Sequence, residues 1–229
     1  MRVIRRWTVG KRLDEPLLNE DASRCSEQRG VYAVSDGASE SFASGRWAHL
    51  LVSRYVRQPK IDAQTLGQAI DAYNETFDRQ TMSWSAQASF DRGSFATLLG
   101  IQLDQHGVSI LGIGDSLVVL DDGTSIRSTF PYSSPEEFRA NPLLLSTLPD
   151  RNHEILQADS TTYWTLDDIE FPKLFCMTDA IGAWLLSQRD ERMQRLRALE
   201  TRAAFVDLVE TARADGTMRR DDTTLLVIG

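Results

Sequence analysis

Apolar residues recur at helical spacing in the first third of the chain. Leu66, Ile70, Tyr73 and Phe77 fall at i, i+4, i+7 and i+11, the spacing of one helix face. A similar pattern covers Ser44–Arg57, so two helices are predicted, each with one apolar face against a sheet. The same reasoning predicts a short helix near residues 134–137 and longer helices over residues 180–187 and 190–213.

Other segments are rich in apolar and β-branched residues and predict strands. These segments are 2–9, 30–35, 95–103, 108–120, 124–130, 163–166, Lys173–Met177 and Thr223–Ile228. Short turns at residues 104–107 and 121–123 join neighbouring strands, which favours antiparallel pairing. This order of elements predicts an α+β layered sandwich: strands, two helices, a meander of strands, two helices and a final strand.

Four acidic signals lie against the ends of the strand-like segments. They are Glu20 with Asp21, then Asp36, Asp179 and Asp221. Carboxylates beside buried strands are costly unless something neutralises them. The simplest shared compensation is a hard cation with oxygen ligands, so the sequence predicts a Mg²⁺ or Mn²⁺ site.

Composition narrows the class of protein. The 229 residues carry a formal net charge of −8, which argues against general nucleic-acid binding. No apolar stretch approaches the roughly 20 residues of a membrane span, and the basic start has no apolar segment after it, so neither a membrane anchor nor a signal peptide is expected. Cys25 and Cys176 form no disulfide framework, which indicates reduced thiols and a cytoplasmic protein. With no repeat and no linker, one domain over residues 1–229 is expected.

Six short motifs appear in an order that resembles the metal-dependent protein phosphatases of type 2C, the PPM family, in a compact and divergent bacterial-type branch. Each motif alone is weak, and their common order over nearly the whole chain is the strong signal. The motifs are Asn19-Glu20-Asp21-Ala22, Val34-Ser35-Asp36-Gly37, Gly93-Ser94-Phe95-Ala96-Thr97, Gly112-Ile113-Gly114-Asp115-Ser116, Met177-Thr178-Asp179 and Arg220-Asp221-Asp222-Thr223-Thr224.

The resemblance implies a four-layer αββα sandwich, in which two antiparallel sheets pack face to face between outer helices. It also implies two Mg²⁺ or Mn²⁺ ions in a cleft at one end, with Asp36 and Asp179 as the principal catalytic residues. Asp36 would bridge the ions and the Gly37 carbonyl would add a ligand. Glu20, Asp179 and Asp221 would hold the second ion, Asp21 would act directly or through water, and Asp115 matches a residue used for a weaker third metal. The Gly112-Ile113-Gly114-Asp115-Ser116 motif is expected to form a hairpin.

The chain departs from the family's pattern at several positions. Residues 38–41, directly after Gly37, include no His that could protonate a leaving group. Ala183 stands where some members have a carboxylate for the third metal, so the resemblance supports two ions and no complete third site. Arg12 is the nearest candidate for a phosphate-binding arginine, and Asp222 is expected to cap or turn. Arg219 and Arg220 are expected either to be exposed or to guide a phosphate to Asp221.

The implied activity is hydrolysis of phosphoserine or phosphothreonine in a protein by a metal-activated water. Two alternatives remain open, a catalytically weak or inactive regulatory or scaffold domain and a small-molecule phosphatase on the same fold. The expected partner is a phosphorylated protein, either a kinase or a kinase's target. Residues 131–168 form the longest irregular stretch and are predicted to be a flap that recognises the substrate.

Overall fold

Two five-stranded antiparallel sheets form the centre of the protein. The computed structural model describes residues 1–12, 14–15 and 18–229. The first sheet has the strand order β1-β12-β11-β7-β8 and the second has the order β10-β6-β5-β3-β2. A separate two-stranded pair joins β4 to β9. The strands are β1 (Val3–Val9), β2 (Ala22–Ser26), β3 (Val31–Ser35), β4 (Phe95–Ala96), β5 (Leu98–Leu103), β6 (Gly107–Ile113), β7 (Leu117–Asp121), β8 (Ile126–Phe130), β9 (Leu145–Ser146), β10 (Thr161–Thr165), β11 (Lys173–Met177) and β12 (Thr223–Ile228).

Helices cover the outer face of each sheet. They are α1 (Ser44–Arg57), α2 (Ala63–Asn74), α3 (Trp84–Asp91), α4 (His153–Gln157), α5 (Asp179–Ser187), α6 (Arg189–Arg197) and α7 (Arg202–Ala214). The side chains of β11 show the layering, because alternate residues of a strand face opposite sides. Phe175 and Met177 pack in a core shared with α5 to α7, whereas Leu174 and Cys176 pack in the core between the sheets. The second sheet packs in the same way on α1 and α2. The predicted αββα sandwich is confirmed.

The segment predicted as one strand over residues 108–120 is in fact two strands in different sheets. Gly114 has φ +91° and lies between β6 and β7, where the chain passes from the second sheet to the first. A Cβ at Gly114 would lie 2.6 Å from Cγ2 of Thr97, so a side chain has no room at this crossing. The expected hairpin at this motif is therefore wrong, because β6 pairs with β5 and β10, and β7 with β11 and β8.

The helix predicted over residues 190–213 is also divided. The hydroxyl of Thr201 accepts a hydrogen bond from the backbone of Ala204 and starts α7 after a break. Leu199, in the break, is buried in the core beneath the first sheet. In the described part of the chain, no helix is both long enough and apolar enough to cross a membrane.

Residues 131–168 contain more regular structure than their sequence indicates. They include β9, α4 and β10, and β10 is the edge strand of the second sheet. Pro142 and Leu144, just before β9, line a cavity at one end of the sandwich. This segment therefore contributes both to the sheet and to the walls of a cavity.

Close packing of α1 on the second sheet depends on the absence of a side chain at Gly100. A Cβ there would lie 2.2 Å from Cζ of the buried Tyr55. We expect Gly100→Ala to lower the free energy of unfolding by about 1–3 kcal/mol through overpacking. Chemical denaturation measures this change. Gly67→Ala is the matched control, because nothing lies within 4 Å of its added Cβ. Gly67 is inside α2, so the free energy of unfolding of Gly67→Ala should rise by up to about 1 kcal/mol. If the two variants were equally stable, the close packing of Tyr55 against Gly100 would be contradicted.

Candidate metal centre

Four carboxylates from separate parts of the chain meet at one end of the sandwich. Asp36 follows β3, Asp115 lies between β6 and β7, Asp179 starts α5 directly after β11, and Asp221 precedes β12. All four line one cavity of about 190 Å³, which we call the acidic cavity. The other residues that line it are Gly37, Ala38, Ser39, Thr97, Pro142, Leu144 and Arg219.

The backbone around Asp36 is held by the neighbouring strand. The Asp36 amide donates to Oγ1 of Thr97 at 2.8 Å, and the Thr97 amide donates to the Asp36 carbonyl at 2.9 Å. Gly37 follows against α1, where an added Cβ would lie 2.7 Å from the carbonyl carbon of Ser44. Only glycine fits this approach without a shift of backbone, which explains the Asp-Gly pair.

Asp179 and Asp221 share one basic partner. The Arg219 guanidinium forms an ion pair with Oδ2 of Asp179 and lies 3.6 Å from Oδ2 of Asp221. The Asp179 side chain is only 7% exposed, whereas that of Arg219 is 48% exposed. Arg219 therefore reaches from the surface into the acidic cavity.

The carboxylates of the acidic cavity disfavour one another's charge. Burial raises the pKa of Asp36 well above its usual value, and Asp21, Asp221 and Asp115 raise the pKa of Asp36 further by repulsion. Burial also raises the pKa of Asp115. The positive charge of Arg219 acts in the opposite direction on the pKa of both groups. A cation in the cavity would therefore favour the ionised forms of Asp36 and Asp115.

The donor set suits a divalent cation. Oδ1 of Asp179 is buried and has no hydrogen-bond partner among the described residues, although a buried carboxylate oxygen normally has one. All the side-chain donors are hard oxygens, the ligands that Mg²⁺ and Mn²⁺ prefer. As the side chains stand, however, no group of three or more His, Cys, Asp or Glu residues in the described ranges is arranged to hold a metal ion. The guanidinium of Arg219 lies at Asp179 and Asp221 instead.

Glu20 and Asp21, the other predicted ligands, lie outside the wall of the acidic cavity. Oε2 of Glu20 accepts from Nζ of Lys11 at 3.0 Å, and its Oε1 accepts from the Ser44 hydroxyl. Asp21 is buried, accepts from the Thr178 hydroxyl at 3.1 Å, and has a second oxygen without a partner. Burial raises the pKa of Asp21 to about 7. Their roles as ligands remain predictions.

The candidate phosphate-binding residue Arg12 also lies outside the acidic cavity. Its guanidinium is exposed and pairs with Glu15 at 3.1 Å. Three residues between Arg12 and Asn19, namely Leu13, Pro16 and Leu17, lie outside the described residues. Phosphate binding by Arg12 stays a prediction.

Asp222 and Arg213 hold the loops around Asp221. Asp222 accepts from the amides of Lys11 and Glu20, both at 2.7 Å, as expected of a residue that caps or turns. Arg213 is buried and donates to the carbonyls of Asp221 and Gly10. The sequence of α7 does not indicate that Arg213 is buried and binds these carbonyls, because a long basic residue near a helix end is usually exposed to solvent.

Arg219 was expected to be either exposed or a guide for phosphate, and its ion pair with Asp179 was missed. The sequence feature that points to this ion pair is the position of Arg219 two residues before Asp221. Arg220 is exposed and donates to the Lys11 carbonyl at 3.4 Å. Thr97 holds the backbone of Asp36, a role that its place in the Gly93–Thr97 motif does not reveal.

Comparison with known proteins identifies the fold. No protein-family model and no curated protein matches the sequence. Among solved structures, the serine/threonine phosphatase Stp1 from Staphylococcus aureus superposes with a TM-score of 0.64 at 16% identity, over 97% of this chain and 92% of that one. A bacterial serine phosphatase gives a TM-score of 0.62 at 16% identity, over 97% and 95% of the two chains. The chain has the fold of the type 2C phosphatases.

Another structure with the type 2C fold is PppA, described as a key regulatory component of T6SS in Pseudomonas aeruginosa. It superposes with a TM-score of 0.59 at 19% identity, over 97% of this chain and 96% of that chain. At this level of identity the comparisons show the fold alone. The activity must be argued from the site.

Proposed function

We propose that the protein is a metal-dependent phosphatase that hydrolyses phosphoserine or phosphothreonine in proteins. The observation that carries this proposal is the meeting of Asp36, Asp115, Asp179 and Asp221 in one cavity of a type 2C fold. These residues belong to four separate motifs that are far apart in the sequence, and the fold brings their carboxylates together. Solved phosphatases of serine and threonine share this fold.

Two Mg²⁺ or Mn²⁺ ions would be held by Asp36, Asp179, Asp221 and the Gly37 carbonyl. Glu20 and Asp21 would join them directly or through water. Bound there, the ions would lower the pKa of a water molecule and neutralise the charge of the phosphoryl group. Asp115 lines the same cavity, but Ala183 offers no carboxylate beside it, so two ions are proposed and no complete third site.

The surroundings of the acidic cavity prepare it for this chemistry. Thr97 holds the backbone of Asp36 in place, and the close approach of Gly37 to Ser44 restricts the backbone of the residue whose carbonyl is proposed as a ligand. Pro142 and Leu144 give one wall an apolar surface. Reduced exposure to water strengthens the electrostatic interactions inside such a site.

A larger groove next to the acidic cavity favours a protein substrate over a small metabolite. The groove has a volume of about 560 Å³ and shares Ala38 and Leu144 with the acidic cavity. Arg92 and Arg151 line it. A peptide chain can extend from the phosphorylated residue along this groove, whereas a metabolite phosphate needs only the cavity. Leu144 and Arg151 belong to residues 131–168, which supports their role as a recognition flap.

Two further points belong to the same proposal. Cys25 and Cys176 are free thiols, which suits a reducing compartment, so we place the protein in the cytoplasm. We also take its phosphoprotein partner to be a kinase or a kinase's target.

Two observations favour a second candidate function, a regulatory or scaffold domain without turnover. Arg219 pairs with two of the proposed ligands, and residues 38–41, directly after Gly37, include no His. A scaffold of this kind would bind a phosphorylated partner without hydrolysing it. Hydrolysis by the purified protein separates the two candidates.

We expect Asp36→Asn and Asp179→Asn to lower the hydrolysis of a phosphoserine peptide with Mn²⁺ by at least about 100-fold, because each removes a charged ligand. Phosphate release measures the rate, and circular dichroism checks the fold. Asp207→Asn, an exposed change on α7, should keep full activity. Wild-type turnover that survives either cavity substitution would refute the proposed centre, and a wild-type protein without turnover would favour the scaffold.

We expect Arg92→Ala and Arg151→Ala to lower kcat/KM for a phosphopeptide several-fold, mainly through KM, because the peptide loses contacts in the groove. The rate with p-nitrophenyl phosphate should not change, since this substrate reaches only the acidic cavity. Arg139→Ala is the matched control, because Arg139 is exposed in the same segment and lines neither the cavity nor the groove. Equal losses with both substrates would show that the groove does not select peptides.

A further inference from the structure

Arg219 is the one basic side chain among the described residues that line the acidic cavity. Its guanidinium contacts Oδ2 of Asp179 and lies 3.6 Å from Oδ2 of Asp221. These two carboxylates come from α5 and from the loop that precedes β12, so one guanidinium compensates charges on two separate segments. The same two carboxylates are the proposed ligands of one metal ion.

The loop that carries Arg219 is fixed at both ends. On one side, Met218 is buried and its amide donates to the Ala212 carbonyl at 2.9 Å. On the other side, Arg213 binds the carbonyl of Asp221. The side chain of Arg219 is nevertheless 48% exposed, so its guanidinium can leave the cavity for solvent without a change in the backbone.

We propose that Arg219 is an internal competitor for the divalent cation at Asp179 and Asp221. It neutralises the two carboxylates in the metal-free protein and is displaced when the metal binds. A guanidinium that is paired with these carboxylates disfavours binding of a doubly charged ion to them, because the two cations repel each other at close range. This inference rests on the proposed metal centre.

The competition has a thermodynamic consequence. The free energy of the Arg219 ion pair must be given up when metal binds, so it lowers metal affinity by the same amount. The metal-free protein is stabilised in exchange, because Asp179 would otherwise be a buried charge without a partner. Loss of the guanidinium should therefore change metal affinity and metal-free stability in opposite directions.

Arg220 provides a matched control on the next residue. It carries the same charge, lies exposed, and donates only to the Lys11 carbonyl among the hydrogen bonds of the described residues. Arg219→Gln and Arg220→Gln each remove one positive charge within two residues of Asp221. The long-range electrostatic attraction between the protein and the metal ion should change about equally in the two variants. Only Arg219→Gln removes the ion pair from Asp179 and Asp221.

The test is a titration of the purified, metal-free proteins with Mn²⁺, followed by the electron paramagnetic resonance signal of the free ion. We expect Arg219→Gln to bind the ion at Asp179 and Asp221 about tenfold more tightly than wild type. Arg220→Gln should stay within about threefold of wild type. Without metal, Arg219→Gln should have a lower Tm than Arg220→Gln, and saturating Mn²⁺ should raise its Tm more. Arg219→Lys keeps a positive charge at this position and serves as the test if Arg219→Gln does not fold. We expect Arg219→Lys to bind Mn²⁺ more tightly than wild type. If both variants fold, its affinity should lie between those of wild type and Arg219→Gln.

Mn²⁺ affinity of Arg219→Gln equal to or weaker than that of Arg220→Gln would overturn the proposal, as would Arg219→Lys binding no better than wild type. If no variant binds Mn²⁺, both the metal centre and the competition are refuted. If the wild-type protein binds Mn²⁺ but hydrolyses no phosphopeptide, the proposed function fails while the competition at Arg219 stands or falls on the affinities alone.

Discussion

The mutual repulsion of four carboxylates at one end of the sandwich is the constraint on which the rest of the structure depends. Asp36, Asp115 and Asp179 are held there by buried strands and their direct continuations, so they cannot move apart. Burial already disfavours the charged forms of Asp36 and Asp115, and repulsion from neighbouring carboxylates adds to this. A nearby cation stabilises the ionised form of such an arrangement. Arg219 provides one positive charge, and the proposed metal ions would provide more.

The architecture delivers these carboxylates by bringing strand ends from both sheets to the same edge. Asp36 comes from the second sheet, Asp179 and Asp221 come from the first, and Asp115 lies in the crossing between them. The crossing depends on Gly114, whose positive φ and lack of a side chain allow the chain to pass close to Thr97. Thr97 in turn holds Asp36. One buried threonine thus links the crossing between the sheets to the carboxylate that is proposed to bridge the metals.

Much of this could be predicted from the sequence, since local patterns report local structure. The strands Lys173–Met177 and Thr223–Ile228 and the helix Ser44–Arg57 have their predicted bounds, because each is a strongly patterned segment with a clear end. The division of residues 108–120 could not be predicted, since both halves are apolar and nothing local shows that they join different sheets. The same limit applies to Arg219, whose partner Asp179 is 40 residues away in the chain and is brought close only by tertiary packing. The order of the acidic motifs indicated the fold even though no family model matches.

The central claim is that this cavity is a two-metal centre, and diffraction at the manganese absorption edge from crystals soaked in Mn²⁺ tests it most directly. The account predicts two anomalous peaks beside Asp36, one of them between Asp36 and Asp179, with the Arg219 guanidinium moved away from Asp179. An acidic cavity without anomalous density at saturating Mn²⁺, with Arg219 still paired to Asp179, would contradict it.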